Sequence, residues 1–440
     1  MQNKDVALEK NLGLFGLILF GLAYMTPMIV FGTYGVLYEA STGNVATAYL
    51  FALIAMLFTA GSYALMAYKY PSSGSSYTFV SRVFGDKIGF LTGWTILLDY
   101  LFLPMVIWLI GGIYLEAMAP SIPLWFWIVA FIVLTSALNF IGFGVAKKVN
   151  LVLMLIQIGV VIAFCALALM YIQGSSNTIA TPSLDILASD NLAPIFSGAA
   201  IACYSFLGFD AVSTMAEETE NPKHNVPKAI LLVTLLGGVI FIISSWILGS
   251  AFPDISVFAA ESASADIAKQ VGGVIFSSVF IATLVIAQFT SGVSAQASAS
   301  RLMFAMGRDG VLPSGFFGKL HEKFRTPYLN IFIVGIIGLL ALRMDIATST
   351  SFINFGAFSA FVLVNMSAFK EYFRLDNSER TLKQKILHLV IPTIGALSVF
   401  KLLTSLDANA LMLGALWLAI GVCYLIYLIV KGKTLTLDME

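Results

Sequence analysis

Long apolar runs, each closed by a short polar cluster, organise the 440-residue chain. Twelve can be marked, near residues 14–39, 46–68, 88–118, 124–143, 150–172, 194–216, 228–252, 270–300, 328–346, 349–369, 386–405 and 410–430. Each is long enough for a helix to cross a hydrocarbon core of ~30 Å, at a rise of ~1.5 Å per residue. Segments of ~10 residues with alternating polarity, the mark of a membrane β-barrel, do not appear. The pattern predicts an all-α integral membrane protein with twelve transmembrane helices. The eighth run is the least regular, because its second half is rich in Ser, Ala and Gln.

Two runs are interrupted. The first carries GLAYMTPMIVFGTYG at Gly21–Gly35, where Pro27 has no amide proton and its ring crowds the carbonyl four residues earlier. The sixth carries CYSFLGFDAVSTMAEETEN at Cys203–Asn221, with Gly208 and the carboxylate of Asp210 in an otherwise apolar stretch. Irregular backbone at membrane depth persists only where protein buries it or a cavity meets it. An ionisable group there is costly and by default marks a pathway or a site. A kink made for packing and a structural, hydrogen-bonded acid are the plainer readings of the same residues.

The first ten runs divide five plus five, and odd halves insert in opposite orientations, the inverted-repeat arrangement. Runs one and six then occupy equivalent places. Repeat one falls near 14–172, repeat two near 194–369, and two extra helices near 386–430. No connection is long enough for a separate soluble domain, so residues 1–440 read as one polytopic unit.

Composition agrees: 59% of residues are hydrophobic and 11% charged, against about 25% charged in soluble proteins. The formal net charge is zero, but its distribution is informative. With both termini in the cytoplasm, 21 of the 24 Lys and Arg lie inside; Lys269, Arg343 and Lys401 lie outside. Glu39, Glu116, Asp185, Asp190, Asp254, Glu261, Asp266, Asp345 and Asp407 fall outside. They are either a field that concentrates cations or what remains once bases are excluded. Lys4 and Lys10 precede a first run too long for a signal core and without a cleavage site, so it reads as a retained helix.

Asp210 sits roughly 24 Å along its run from the outer end, and Tyr204, six residues earlier, can cover a substrate from outside. Asp99 lies roughly 16 Å into the third run, followed by Tyr100 and the bend at Pro104. No Lys or Arg stands at similar depth. Two unpaired carboxylates suit a cationic substrate, a bound cation or a proton, with a structural role as the alternative. Thr290, Ser291 and Ser294 offer hydroxyls for a sodium site with carbonyls of the first run, or for helix packing. Cys165, Cys203 and Cys423 lie inside apolar runs and read as packing residues. His224, His321 and His388 lie in or beside loops without the partners that metal binding or nucleophilic catalysis needs. Phosphate loops and nucleic-acid signals are absent. No enzyme, cofactor or metal is expected; the expected partners are a small-molecule substrate, a coupling proton and the lipid bilayer.

The chain resembles the amino acid–polyamine–organocation transporter superfamily over nearly its full length. The most specific stretches are FLGFDAVSTMAEETENPKHNVPKAI at Phe206–Ile230 and SRLMFAMGRDGVLP at Ser300–Pro313. Within the superfamily it is most similar to bacterial putrescine importers, through GLAYMTPM at Gly21, GWTILLDYLFLPM at Gly93, CYSFLGFDAV at Cys203, FPDIS at Phe252 and INFGAFSAF at Ile353. The resemblance implies the five-plus-five fold, alternating access, and a midplane site between broken helices one and six. It also implies proton-driven uptake of a small cationic amine such as putrescine into the cell across its inner membrane. An amino acid permease or exchanger is the alternative within the class, and a channel or sensor the one outside it.

By the same resemblance, the first break supplies Ala23, Tyr24, Met25, Thr26 and Pro27. The sixth run supplies Tyr204, Ser205, Phe206, Gly208 and Asp210, and the third Asp99 and Tyr100. Asp210 and Asp99 are the candidates for carrying the coupling proton. The chain departs from the importers at Gly32, where they carry an acid. It departs from cationic amino acid relatives at Gln157, where they carry a Lys.

Overall fold

The computed structural model describes residues 12–71, 75–142, 147–174, 189–308, 310 and 312–431. Lys4, Lys10, Asp185, Asp309, Val311 and Lys433, which enter the charge distribution or the motifs, lie outside the described residues. The first apolar run folds as three pieces, α1 (Leu14–Met25), α2 (Ile29–Gly32) and α3 (Tyr34–Ala40). Next come α4 (Val45–Lys69) and a short amphipathic helix, α5 (Ser75–Phe84), which the apolar pattern did not mark. They are followed by α6 (Asp86–Met118), α7 (Leu124–Phe140), α8 (Lys147–Gly174) and α9 (Ser189–Ala202). The sixth run continues beyond α9 as two 3-10 stretches, Cys203–Phe206 and Ala211–Glu218. The remaining helices are α10 (Pro222–Ala251), α11 (Ala263–Arg308), α12 (Ser314–Phe317), α13 (Tyr328–Gly338), α14 (Ile346–Glu371), α15 (Leu382–Lys385), α16 (Ile391–Leu403) and α17 (Ala408–Val430).

Among the described residues, 10 helical stretches are long and apolar enough to cross a membrane. Two shorter apolar helices, Leu124–Phe140 and Tyr328–Leu342, accompany them. The eighth run is longer than its hydropathy suggests: α11 begins at Ala263 and bends at Gly273, whose φ of 70° lies outside the helical region. The eleventh begins with α15 and a π-turn over Ile386–Val390. Pro392 follows it and has no amide to donate, and the wider turn absorbs that missing bond.

Helix α6 forms the centre. Its apolar stretch is 94% buried, whereas that of α17 is 22% buried. Helices α11 and α14 pack along α6, and α10 along α4. Ile162 and Met170 on α8, Leu397 and Phe400 on α16, and Met412 and Val430 on α17 are exposed, forming the surface that hydrocarbon covers in a bilayer. Helix α17 is pinned to the centre by a reciprocal pair. Trp94 Nε1 donates to the Trp417 carbonyl at 2.9 Å and Trp417 Nε1 to the Trp94 carbonyl at 2.8 Å, with the rings stacked at 5.1 Å.

At the Lys69 end of the bundle, the buried carboxylate of Glu371 bonds Lys69, Arg374 at 2.7 Å and the Tyr70 hydroxyl at 3.2 Å. Lys370 Nζ reaches the Val83 carbonyl at 3.1 Å, which ties α14 to α5 as well. Near the opposite ends, several acids of the expected outer group cap backbone. Glu116 accepts from Leu124 N, Glu261 from Ile346 N, Asp345 from Thr348 N and Asp407 from Ala410 N. The amide and hydroxyl of Ser256 hold the exposed Asp254 carboxyl below its usual range. These acids serve helix starts and turns, where unpaired amides favour negative charge.

Candidate functional site

Both interruptions are real breaks in the backbone. Helix α1 stops at Met25, and Thr26 takes φ 55°, ψ 92°, a conformation that costs a non-glycine residue about 1–3 kcal/mol. The Ala23 carbonyl would accept from residue 27 in a continuous helix, but Pro27 has no N–H. The Thr26 hydroxyl covers the freed carbonyls of Ala23 and Tyr24 at 3.4 Å each. In the sixth run, Gly208 has φ +118°, and Asp210 stands just before the 3-10 stretch that follows. The two broken segments lie side by side. A Cβ on Gly21 would stand 2.8 Å from Val212 Cγ2, and the Leu12 backbone pairs with those of Glu218 and Glu220.

Asp99 and Asp210 are brought together from α6 and the sixth-run break, close enough for their charges to interact. Asp99 is 5% and Asp210 4% exposed. Tyr204 lies within the electrostatic reach of Asp99, and Tyr24 and Tyr100 lie within that of both acids. Tyr63 on α4 does so too, fully buried, and its ring meets Phe79, Phe209 and Phe361 edge-on. Sequence reasoning missed Tyr63. It stands in an apolar run with nothing to separate it from Tyr49, which faces elsewhere, so only the fold reveals it. Among the described residues no Lys or Arg bonds either acid; the ion pairs lie at Glu371.

The acids differ in their surroundings. Asp210 Oδ1 accepts from Gly208 N at 3.3 Å, and the amides of Asp210 and Ala211 also face its carboxylate. Asp99 Oδ1 is buried without a hydrogen-bond partner.

Other expected site residues point away from the acids. Met25 fills the contact with α10 at Gly237. Ser205 Oγ meets the Tyr49 hydroxyl at 3.0 Å, and Phe206 packs edge-on against Phe241 of α10. These three hold the breaks against α4 and α10. Thr290 Oγ1 donates to Ile286 and Ala287 carbonyls, and Ser294 Oγ to the Thr290 carbonyl, all within α11. Gly32 is buried, and a Cβ there would sit 3.3 Å from Ile110 Cγ2 and 3.9 Å from Gln288 Nε2, itself without a partner. Gln157 is buried on α8, with Oε1 unpartnered.

Two carboxylates among tyrosine rings, with no base to neutralise them, can hold a cation by charge and by the ring faces. Comparison with known proteins places the chain among transporters. The chain is 40% identical over 430 residues to the low-affinity putrescine importer PlaP of Escherichia coli (strain K12), a match covering 96% of this chain and 94% of that protein. It is 27% identical over 445 residues to the branched-chain amino acid permease BcaP of Bacillus subtilis (strain 168), covering 96% and 94%. Identity to the methylthioribose transporter of the same organism is 25% over 457 residues, covering 98% and 95%. Residues 16–430 match the family described as amino acid permease, a span that takes in both breaks and both acids. A match over nearly the whole length leaves no other assignment: this integral membrane protein belongs to the amino acid permease family.

Proposed function

We propose that the protein is a secondary active transporter that imports a small cationic amine, putrescine or a relative, across the cell membrane. The observation that carries this reading is the nearness of Asp99 to Asp210 among Tyr24, Tyr63, Tyr100 and Tyr204, with no Lys or Arg bonded to either acid among the described residues. A diamine carries two ammonium groups, and two anionic partners are what it requires. The identity to the putrescine importer of Escherichia coli supports the same substrate class.

The finer architecture belongs to this reading. Twelve spans, counting α7 and α13, form two inverted repeats near 14–172 and 194–369 with two further helices near 386–430, and both termini lie in the cytoplasm. Alternating access moves the two repeats around the breaks at Ala23–Pro27 and Tyr204–Asp210, and a proton taken up by an acid of the site drives accumulation.

Counterflow in proteoliposomes tests it: labelled putrescine inside-exchanged against a panel of amines and amino acids. Competition by polyamines is expected, with uptake that survives replacement of sodium by choline and collapses with a protonophore. Competition by neutral amino acids alone overturns it. Gly32 favours a second reading, an amino acid permease. Without an acid at that position, the Gln288 amide beside it is left to face an acceptor such as a substrate carboxylate.

A further inference from the structure

The two acids of the site are built differently, and the difference assigns them different work. Asp210 is spent on its own break. Its Oδ1 accepts from Gly208 N at 3.3 Å, and its carboxylate faces the amides of Asp210 and Ala211. Its carbonyl accepts from Ser213 N at 3.0 Å and from Ser213 Oγ at 2.6 Å. The Ser213 hydroxyl in turn meets Ser75 Oγ at 2.9 Å, so this corner is anchored to α5. A carboxylate that receives backbone N–H groups is compensated where it stands. Gly208, at φ +118°, turns the chain so that those amides converge.

Asp99 has none of this. It lies inside α6, a helix from Asp86 to Met118 whose amides at that depth are committed to the helix ladder. Its Oδ1 is buried with no hydrogen-bond partner, and among the described residues no hydrogen bond reaches the side chain. Around it stand Tyr24, Tyr100 and Tyr204, with Tyr63 beyond. A buried acceptor left unmet is expensive, and the donor must come from outside the protein.

We infer that Asp99 is the acid whose charge a substrate ammonium compensates directly, and that Asp210, already held by backbone amides, positions the sixth-run break and adds its charge to the site. This rests on the proposed reading of the site as an amine carrier. When an amine arrives, its ammonium pairs with the Asp99 carboxylate. Asp210 keeps its hydrogen bonds throughout and supplies a constant field.

The test uses the full chain in nanodiscs and labelled putrescine binding measured across neutral pH, with Asp99→Asn, Asp210→Asn and Asp210→Ala. Asn at 210 still offers an oxygen to the amides of Gly208, Asp210 and Ala211. Asp210→Asn is therefore expected to keep a pH-dependent affinity and to lose less affinity than Asp99→Asn, while Asp210→Ala lowers the melting temperature. Asp99→Asn is expected to lose at least about tenfold in affinity and to flatten the pH dependence. Asp99→Glu keeps a titratable carboxyl and is expected to restore the pH dependence, which separates a lost proton site from a damaged fold. Loss in Asp210→Asn as deep as in Asp99→Asn, or an unaltered pH profile in Asp99→Asn, overturns the division of roles. A wild type that binds no amine overturns the amine-carrier reading and this inference together.

Discussion

A Cβ built on Gly208 would lie 2.4 Å from Cδ1 of Tyr24, so the two broken segments meet at a place open only to glycine. Gly208 also has φ +118°, outside the range that side chains tolerate. Gly208→Ala is therefore expected to lower the melting temperature and abolish transport, from strain of about 1–3 kcal/mol plus the clash. Adding Tyr24→Ala relieves the ring clash, leaving only the Cβ of residue 24 at 3.2 Å, but not the strain, and should restore the melting temperature only in part. Differential scanning of the two variants in nanodiscs checks this; a Gly208→Ala protein as stable as the parent refutes it.

Tyr63 offers the acids an aromatic neighbour that no motif announced. Its ring centroid lies 5.4 Å from that of Phe209, next to the Gly208 break. Should the ring face help hold an ammonium, Tyr63→Leu weakens amine binding by about 0.5–2 kcal/mol, while Tyr63→Phe keeps most of it. Binding of labelled putrescine to both variants decides; equal losses would assign the effect to the hydroxyl instead.

Glu371 is expected to matter for stability, not for substrate choice. Its side chain is 1% exposed, whereas those of Lys69 and Arg374 are 39% and 41% exposed. Breaking a fully buried ion pair costs about 3–5 kcal/mol, but these cations can rehydrate, so Glu371→Gln should cost about 1–3 kcal/mol. The loss should appear in the melting temperature with the substrate affinity unchanged. A shifted affinity at constant stability contradicts this assignment.

The Trp94–Trp417 pair should behave as one unit. Each indole donates to the other residue's carbonyl, so replacing either with Phe removes one cross-helix bond and leaves that carbonyl to its helix ladder alone. A double-mutant cycle of Trp94→Phe and Trp417→Phe is expected to be non-additive by about 0.5–3 kcal/mol. Additive melting shifts would show that stacking alone holds α17 to α6.

Much of this was legible in the chain itself. Apolar length predicts spanning helices because the bilayer sets one scale for every one of them, and the mismatch at α7 and α13 is of length, not kind. Pro27, Gly208 and Asp210 announce the breaks because each violates a local rule of a membrane helix. The sequence could not tell which side of each helix faces protein. A spanning helix is apolar all round, so periodicity does not separate core from lipid, and Tyr63 looks like any other tyrosine in such a run.

Tertiary structure decided the rest. Packing turns Met25, Ser205 and Phe206 toward α10 and α4, and brings Tyr63 to the acids. The two acids look alike as letters. Asp210 differs from Asp99 because a break exposes amides to one, while an intact helix withholds them from the other. Composition and local pattern determined that this chain spans a membrane and where its helices fail. Which carboxylate is left wanting a partner depended on the neighbours that folding supplied.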